Sequence, residues 1–188
     1  MSIRITEHTR KTITHRLLQH AYEKDEKALQ RKEHDLGMKV YRRLYSASER
    51  KHMNALPEGW LHETDVISVS VGAGNYSLSL SGNVRVPRFA LYGYKSLEIV
   101  SDADKSLATA IKAHHAALEK LKGARRETQQ KTNATIKSFS TLNRLLQAWP
   151  EIKPFTDQLG YDVDKKSLPA VIPTELNASL GLPVIGKQ

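Results

Sequence analysis

Eight histidines, 29 lysines and arginines and no cysteine bound the chemistry open to this chain of 188 residues. Without cysteine there are no disulfides, iron–sulfur clusters or thiolate zinc sites. The histidines invite a metal site, but their spacing argues against one. His15 and His20 stand five apart, and His114 and His115 are adjacent. Two ligands on one helical face need a separation of three or four. His114 falls instead on an apolar stripe, where a buried structural role is expected. Gly72-Ala73-Gly74 lacks the third glycine and the following helix of a phosphate loop, and reads as a hairpin turn. Asp102 and Asp104 precede a helix, where the macrodipole already accounts for them. No Walker loop, dinucleotide fingerprint, zincin motif or nucleophile elbow occurs. No catalytic residue, metal or cofactor is expected, and the reading leans away from an enzyme.

What remains is charge. The formal net charge is +9, from 29 basic and 20 acidic residues. That sign attracts nucleic acid, anionic lipid or an acidic protein surface. Arg42, Arg43, Arg50 and Lys51 stud the first third of the chain. Lys112, Lys120, Lys122, Arg125, Arg126 and Lys131 stud a later stretch, and Arg85 and Arg88 lie between, near Tyr92 and Tyr94. These are the expected contacts to nucleic acid or to an acidic protein or nucleoprotein surface. Phosphate contacts need only such side chains and carry no sequence information. The same residues would equally serve as solvated cover for two helices, and the sequence leaves both roles open.

The elements that must position these residues are legible from periodicity. From Asp102 to Trp149 the positions Leu107, Ile111, His114, Leu118, Leu121, Arg125, Thr128, Thr132, Thr135, Phe139, Leu142, Leu146 and Trp149 keep one coiled-coil register. A helix of that span would be about 70 Å long and needs a partner to cover its stripe. The partner is a helix from about residue 7 to 53, capped by Thr6 or Thr9 with Glu7 in its first turn. Its apolar positions Ile13, Leu17, Leu18 and Ala21 resume at Leu36, Val40, Leu44 and Tyr45, across the charged stretch Glu23 to Asp35. Gly37 is expected to make it irregular, because an interior glycine costs about 1 kcal/mol relative to alanine. Run antiparallel, the pair would set Glu23–Asp35 opposite Lys122–Thr135.

Between them the period drops to two. Val66 to Val71 and Tyr76 to Ser81 alternate apolar and small polar residues, as half-buried strands do. Ser81-Gly82-Asn83 reads as a second tight turn, followed by strands at Val84–Phe89 and Ser96–Val100. Trp60 is expected to plug the junction between helix and sheet, with ligand stacking as the sharper alternative. After Trp149 the chain turns at Pro150, and Glu151 to Leu159 reads as a short helix. Thr174 to Gly181 reads as a two-turn helix stopped by its glycine. The apolar tail residues Val171, Ile172, Leu176, Leu180, Val184 and Ile185 imply docking onto the protein or a partner.

The fold expected is therefore α+β. Two long antiparallel helices form a coiled-coil-like stalk, at residues 1–55 and 102–149. A small antiparallel β-meander, 56–101, is inserted between them, and short helices make a C-terminal tail, 150–188. No run of about 18 apolar residues is present to span a membrane, and the start lacks the apolar core of a secretory signal. A cytoplasmic protein is expected, with homodimerisation optional.

Three stretches carry a family resemblance: Met53-Asn-Ala-Leu-Pro-Glu-Gly-Trp-Leu61, Leu145-Leu-Gln-Ala-Trp-Pro-Glu151, and Leu168-Pro-Ala-Val with Glu175-Leu-Asn and Leu180-Gly-Leu-Pro183. In these the chain resembles the phage family of nucleotide modification-associated domain proteins. The stretches are structural joints and not catalytic signatures, so the resemblance carries over no catalytic residue. It implies a phage or prophage origin and a link to modified phage DNA. A non-catalytic protein that engages nucleic acid or a nucleoprotein complex, such as an inhibitor of a host defence system, is one expected role. An enzyme or accessory factor of nucleotide modification is the other.

Overall fold

The computed structural model describes residues 4–87, 97–99, 104–156 and 174–183, with the backbone alone at 62–65, 81–83, 85, 87, 97–99 and 174. Its helices are α1 (Glu7–Leu44), α2 (Ala47–Ala55), α3 (Lys105–Lys137), α4 (Leu142–Ala148), α5 (Lys153–Thr156) and α6 (Thr174–Ser179). The strands β1 (Leu61–Val71), β2 (Gly74–Pro87) and β3 (Leu97–Ile99) lie between α2 and α3 in the chain. The architecture is α+β, as periodicity predicts. The chain divides into two compact units, Glu26–Glu119 and Met1–Asp25 with Lys120–Gln188. α1 and α3 contribute residues to both.

The thirteen stripe positions from Leu107 to Trp149 are all buried or half-buried. The helix carrying them is nevertheless broken. α3 stops at Lys137, where Ser138 Oγ donates to the Thr135 carbonyl at 2.7 Å and competes with the helical ladder. The N-terminal segment uses the break: Ile5 N–H donates to Ser140 O, and Arg4 bridges Thr141. Thr141 then caps α4 through Arg144 N–H. The first helix is broken as well. After Leu44, Ser46 and Glu49 form a reciprocal capping box that starts α2. Thr6 caps α1, its Oγ1 accepting from Thr9 N–H.

α1 and α3 run antiparallel in each unit, but not in the register that the charge pattern suggests. In one unit Glu33 faces His114 and Arg43 pairs with Asp104. In the other Thr14 bonds to Asn133 and Tyr22 to Thr128. Lys122–Thr135 therefore lies opposite Glu23–Asp35 only at its N-terminal part: Thr128 and Asn133 face Tyr22 and Thr14. Packing sets this register, because Thr128 of the stripe meets the Tyr22 hydroxyl and Thr14 of α1 meets the Asn133 amide oxygen, while exposed ion pairs contribute at most about 1 kcal/mol each.

The sheet departs from a meander in two ways. The Val71–Gly74 hairpin is tight and antiparallel, with Gly72 at φ 61° in the first loop position, as a type II′ turn requires. Ser81-Gly82-Asn83, however, is no turn. β2 runs through it, and the pairing shifts from Thr64↔Val84 to Val66↔Ser79, so the glycine–asparagine signal marks a β-bulge. β3 pairs with the other edge of β1 in parallel, Val69 with Leu97, which gives the order β2-β1-β3. The predicted third strand is thus the second half of β2, and its last residues, 88–89, lie outside the described residues.

Alternation on the hairpin holds. Ile67, Val69, Val71, Leu78 and Leu80 are buried, while Ser68, Ser77 and Ser79 are exposed. The buried face packs on Leu36, Val40, Tyr41, Met53 and Ile111, forming the core of the Glu26–Glu119 unit. Gly37 does not disturb α1. It lets β2 approach the helix, since a Cβ built there would stand 2.5 Å from Leu80 Cδ2 and 3.3 Å from Cγ. Gly37→Ala gains about 1 kcal/mol of helix propensity and forces the packed Leu80 to move, an overpacking cost of about 1–3 kcal/mol. We expect net destabilisation of about 1 kcal/mol, read as a lower urea midpoint; a higher midpoint would show that Leu80 has room to yield.

The second core joins Ile13, Leu17, Leu18 and Tyr22 of α1 to Ile136, Leu142, Leu145, Trp149 and Ile152, and to Leu176, Leu180 and Leu182 from the tail. The tail docks here. Trp149 Nε1 donates to Asn177 Oδ1 at 2.7 Å, and Asn177 Nδ2 to the Pro183 carbonyl at 3.4 Å. Gly181, at φ 66°, ends α6, with Leu182 N–H bonded to Asn177 O and Gly181 N–H to Ala178 O. That pairing is a Schellman stop. Of the predicted helix at 151–159, residues 150–152 form a 3₁₀ turn and 153–156 form α5. Residues 157–159, Val171, Ile172, Val184 and Ile185 lie outside the described residues.

Candidate functional site

The cations singled out by the sequence divide by what holds them. In the Glu26–Glu119 unit, Arg43 Nε and Nη2 both reach Asp104 Oδ2 at 2.9 Å. Arg50 turns inward, donating from Nη1 to the carbonyls of Arg42 and Tyr45. It thereby satisfies acceptors at the C-terminal end of α1. Arg42, Lys51 and Lys112 are exposed and carry no ion pair among the described residues. Arg85 stands on β2 opposite Glu63, and Arg88 lies outside the described residues.

In the other unit Lys131 is tied to Glu127 at 2.8 Å, one helical turn away. Lys122 and Arg125 also have partners within the chain. Lys120 and Arg126 are exposed and carry no ion pair among the described residues. Of the ten predicted contacts whose side chains are described, five are displayed to solvent without an ion-pair partner: Arg42, Lys51 and Lys112 in one unit, Lys120 and Arg126 in the other. Sequence alone does not separate these from the rest, because the engaging carboxylates and carbonyls lie one turn or many residues away.

Two further placements bear on chemistry. Trp60, expected as a plug, is 62% exposed in a 3₁₀ turn at Glu58–Trp60; Met53 and Leu61 fill the core in its place. His114 is buried, as its position on the stripe predicts. Its Nε2 lies 3.9 Å from Glu33 Oε2, beyond hydrogen-bonding range, and neither ring nitrogen has a hydrogen-bond partner among the described residues. Glu33 Oε1 accepts from Ser79 N–H at 2.8 Å, tying edge strand β2 to α1. Sequence reading missed this convergence, since 81 positions separate Glu33 from His114. Among the described residues no three histidine, aspartate or glutamate side chains are grouped to hold a metal ion.

Burial pushes the His114 imidazole below its ordinary value, against the smaller upward pull of Glu33 and with Lys32 and His115 adding to the depression. The folded state therefore favours the neutral ring, while the unfolded chain takes up a proton below about pH 6.5. Stability is full above that pH and falls as the pH drops from there toward the depressed folded value. His114→Gln should flatten this part of the stability–pH curve, measured by urea unfolding at stepped pH. An unchanged slope would assign the proton uptake elsewhere.

Among the described residues no helix is long and apolar enough to cross a membrane. No curated protein and no solved structure is matched by the chain. The family model for nucleotide modification associated domain 5 matches residues 4–183. That span includes all three stretches that carry the resemblance, and two of them meet in the Trp149–Asn177 joint. The chain belongs to the nucleotide modification associated domain 5 family.

Proposed function

We propose that the protein serves nucleotide modification as a binding component that holds nucleic acid by its phosphates. The observation that carries this reading is the five displayed cations, Arg42, Lys51, Lys112, Lys120 and Arg126, on a chain of net charge +9. Such side chains neutralise phosphates and release counterions whatever the sequence of the nucleic acid. A phage-encoded protein of this kind would engage modified DNA or a nucleoprotein complex of the host, including a defence complex. The test is fluorescence anisotropy of a labelled random duplex and a labelled single strand titrated with the protein at low salt. Saturable binding supports the reading, and no binding at low salt overturns it.

The family's description also favours a second reading, an enzyme or accessory factor acting on nucleotides. The structural feature on its side is the polar surface of α1 around Glu33 and His34. Mass spectrometry of nucleosides incubated with the protein tests the enzymatic form of this reading, since only an enzyme yields a new base.

A further inference from the structure

Three segments meet at the helix break after Lys137: the end of α3, the residues before α1 and the start of α4. All lie in the unit formed by Met1–Asp25 and Lys120–Gln188. Arg4 pairs with Thr141 across an antiparallel bridge, which sets their Cα atoms about 5 Å apart. Arg144 N–H donates to the Thr141 hydroxyl at 3.4 Å. Lys137 precedes Thr141 by four residues, no more than about 14 Å of chain. The break thus gathers Arg4, Lys137 and Arg144 around one point, with exposed Ser138 and Ser140 between them. All three cations are exposed, and none has an ion pair or a side-chain hydrogen bond among the described residues.

The surroundings do not neutralise this group. Residues 4–22 and 128–150, which pack together through Thr14–Asn133 and Tyr22–Thr128, hold seven basic side chains and one acidic one. That acid, Glu7, is held by Lys11 at 2.8 Å. The acids flanking the second stretch are Glu127, tied to Lys131, and Glu151, seven positions beyond Arg144. Helix electrostatics does not account for the cations either. Lys137 suits the C-terminal end of α3, but Arg144 lies in the first turn of α4, where a positive charge is unfavourable, and Arg4 precedes α1.

The chemistry of the patch selects among anionic partners. Its exposed side chains are cations and hydroxyls, the groups that contact phosphates and sugars. A membrane surface calls for an apolar face beside the charges, and a protein partner for aromatic anchors. The large apolar side chains left exposed among the described residues, Trp60 and Val66, belong to the other unit. We propose that the break between α3 and α4 grips the nucleic-acid backbone, with Arg4, Lys137 and Arg144 on neighbouring phosphates. Three successive phosphates of one strand advance about 7 Å along a duplex axis, a span that three long side chains around Thr141 can cover. The proposal rests on the reading that the protein holds nucleic acid, and adds a site that none of the five displayed cations occupies.

The test is the anisotropy titration of the labelled random duplex, run in a salt series with the full chain carrying Arg4→Ala, Lys137→Ala and Arg144→Ala together. At about 0.1 M salt affinity should fall about a hundredfold or more, and the slope of log K against log salt should become shallower by about 2 to 3, with the circular dichroism spectrum unchanged. Arg4→Lys with Arg144→Lys keeps the charges and should bind within about threefold of the unaltered chain. Lys137→Ala alone, a surface change at the end of α3, should cost about tenfold, which keeps the proposal testable if the triple variant does not fold. Binding by a folded triple variant within about threefold of the unaltered chain would overturn the proposal and leave the five displayed cations as the holding residues. No duplex binding by the unaltered chain at low salt would overturn both. Binding of phosphatidylserine vesicles that the triple variant loses, without duplex binding, would assign the patch to a lipid surface instead.

Discussion

Trp149→Ala is expected to cost about 3–5 kcal/mol, a large share of the roughly 5–15 kcal/mol that holds a typical domain together. The indole is fully buried among side chains from α1, α4 and the C-terminal tail. Its removal leaves a cavity and strips Asn177 Oδ1 of its donor. Trp149→Phe separates the two contributions: the ring is largely kept, the N–H is lost, and about 1–3 kcal/mol should go with it. Trp60→Ala is the internal control. With 62% of its surface exposed, Trp60 should change stability by no more than about 0.5 kcal/mol. Urea unfolding followed by circular dichroism reads all three variants, and hydrogen exchange shows whether α6 loses protection in the alanine variant. Equal, small shifts for the two alanine variants would mean that the joint between α4 and the tail contributes little.

The contrast between the two tryptophans shows where sequence reading succeeds and where it stops. Both sit in stretches that carry the family resemblance, and both are large and apolar, but the plug expectation for Trp60 rests on residue type alone. Periodicity distinguishes them. Trp149 ends a stripe kept in register over thirteen positions, whereas Trp60 follows Pro57 and Gly59 with no periodic neighbours. The stripe itself was fully legible, because burial in a two-helix pairing repeats every three or four residues. The alternation on β1 and β2 was legible for the same reason, with a period of two.

Features that depend on partners distant in the chain were not legible. Nothing near Ser138 reveals that the N-terminal residues Arg4 and Ile5 will pair with a break there. Ser81-Gly82-Asn83 carries turn chemistry, yet its strand continues through a bulge. Gly37 signals a weak helix locally, whereas its reason is Leu80 on another element. The candidate site shows the same limit. Residue type nominated twelve cations, but Asp104, Glu127 and the carbonyls of α1 decide which of them are engaged.

The second large effect concerns the displayed cations. Each phosphate contact adds about 0.9 to the dependence of log K on log salt for duplex DNA. At about 0.1 M salt, removing one such contact should weaken binding by roughly tenfold. Lys120→Ala with Arg126→Ala tests one unit, and Arg42→Ala, Lys51→Ala and Lys112→Ala together test the other. A unit that holds nucleic acid should lose about a hundredfold or more in affinity in its variant. Substituting Arg43, engaged with Asp104, should have a much smaller effect on binding. All five targets are exposed, so changes in stability should stay within about 0.5 kcal/mol.

The most direct test of nucleic-acid holding by phosphate contacts is the salt dependence of duplex binding by the unaltered chain. We predict a straight line of log K against log salt with a slope of about −2 or steeper, made shallower by about 0.9 for each contacting cation replaced by alanine. A slope near zero, or no binding even at the lowest salt, would contradict the account.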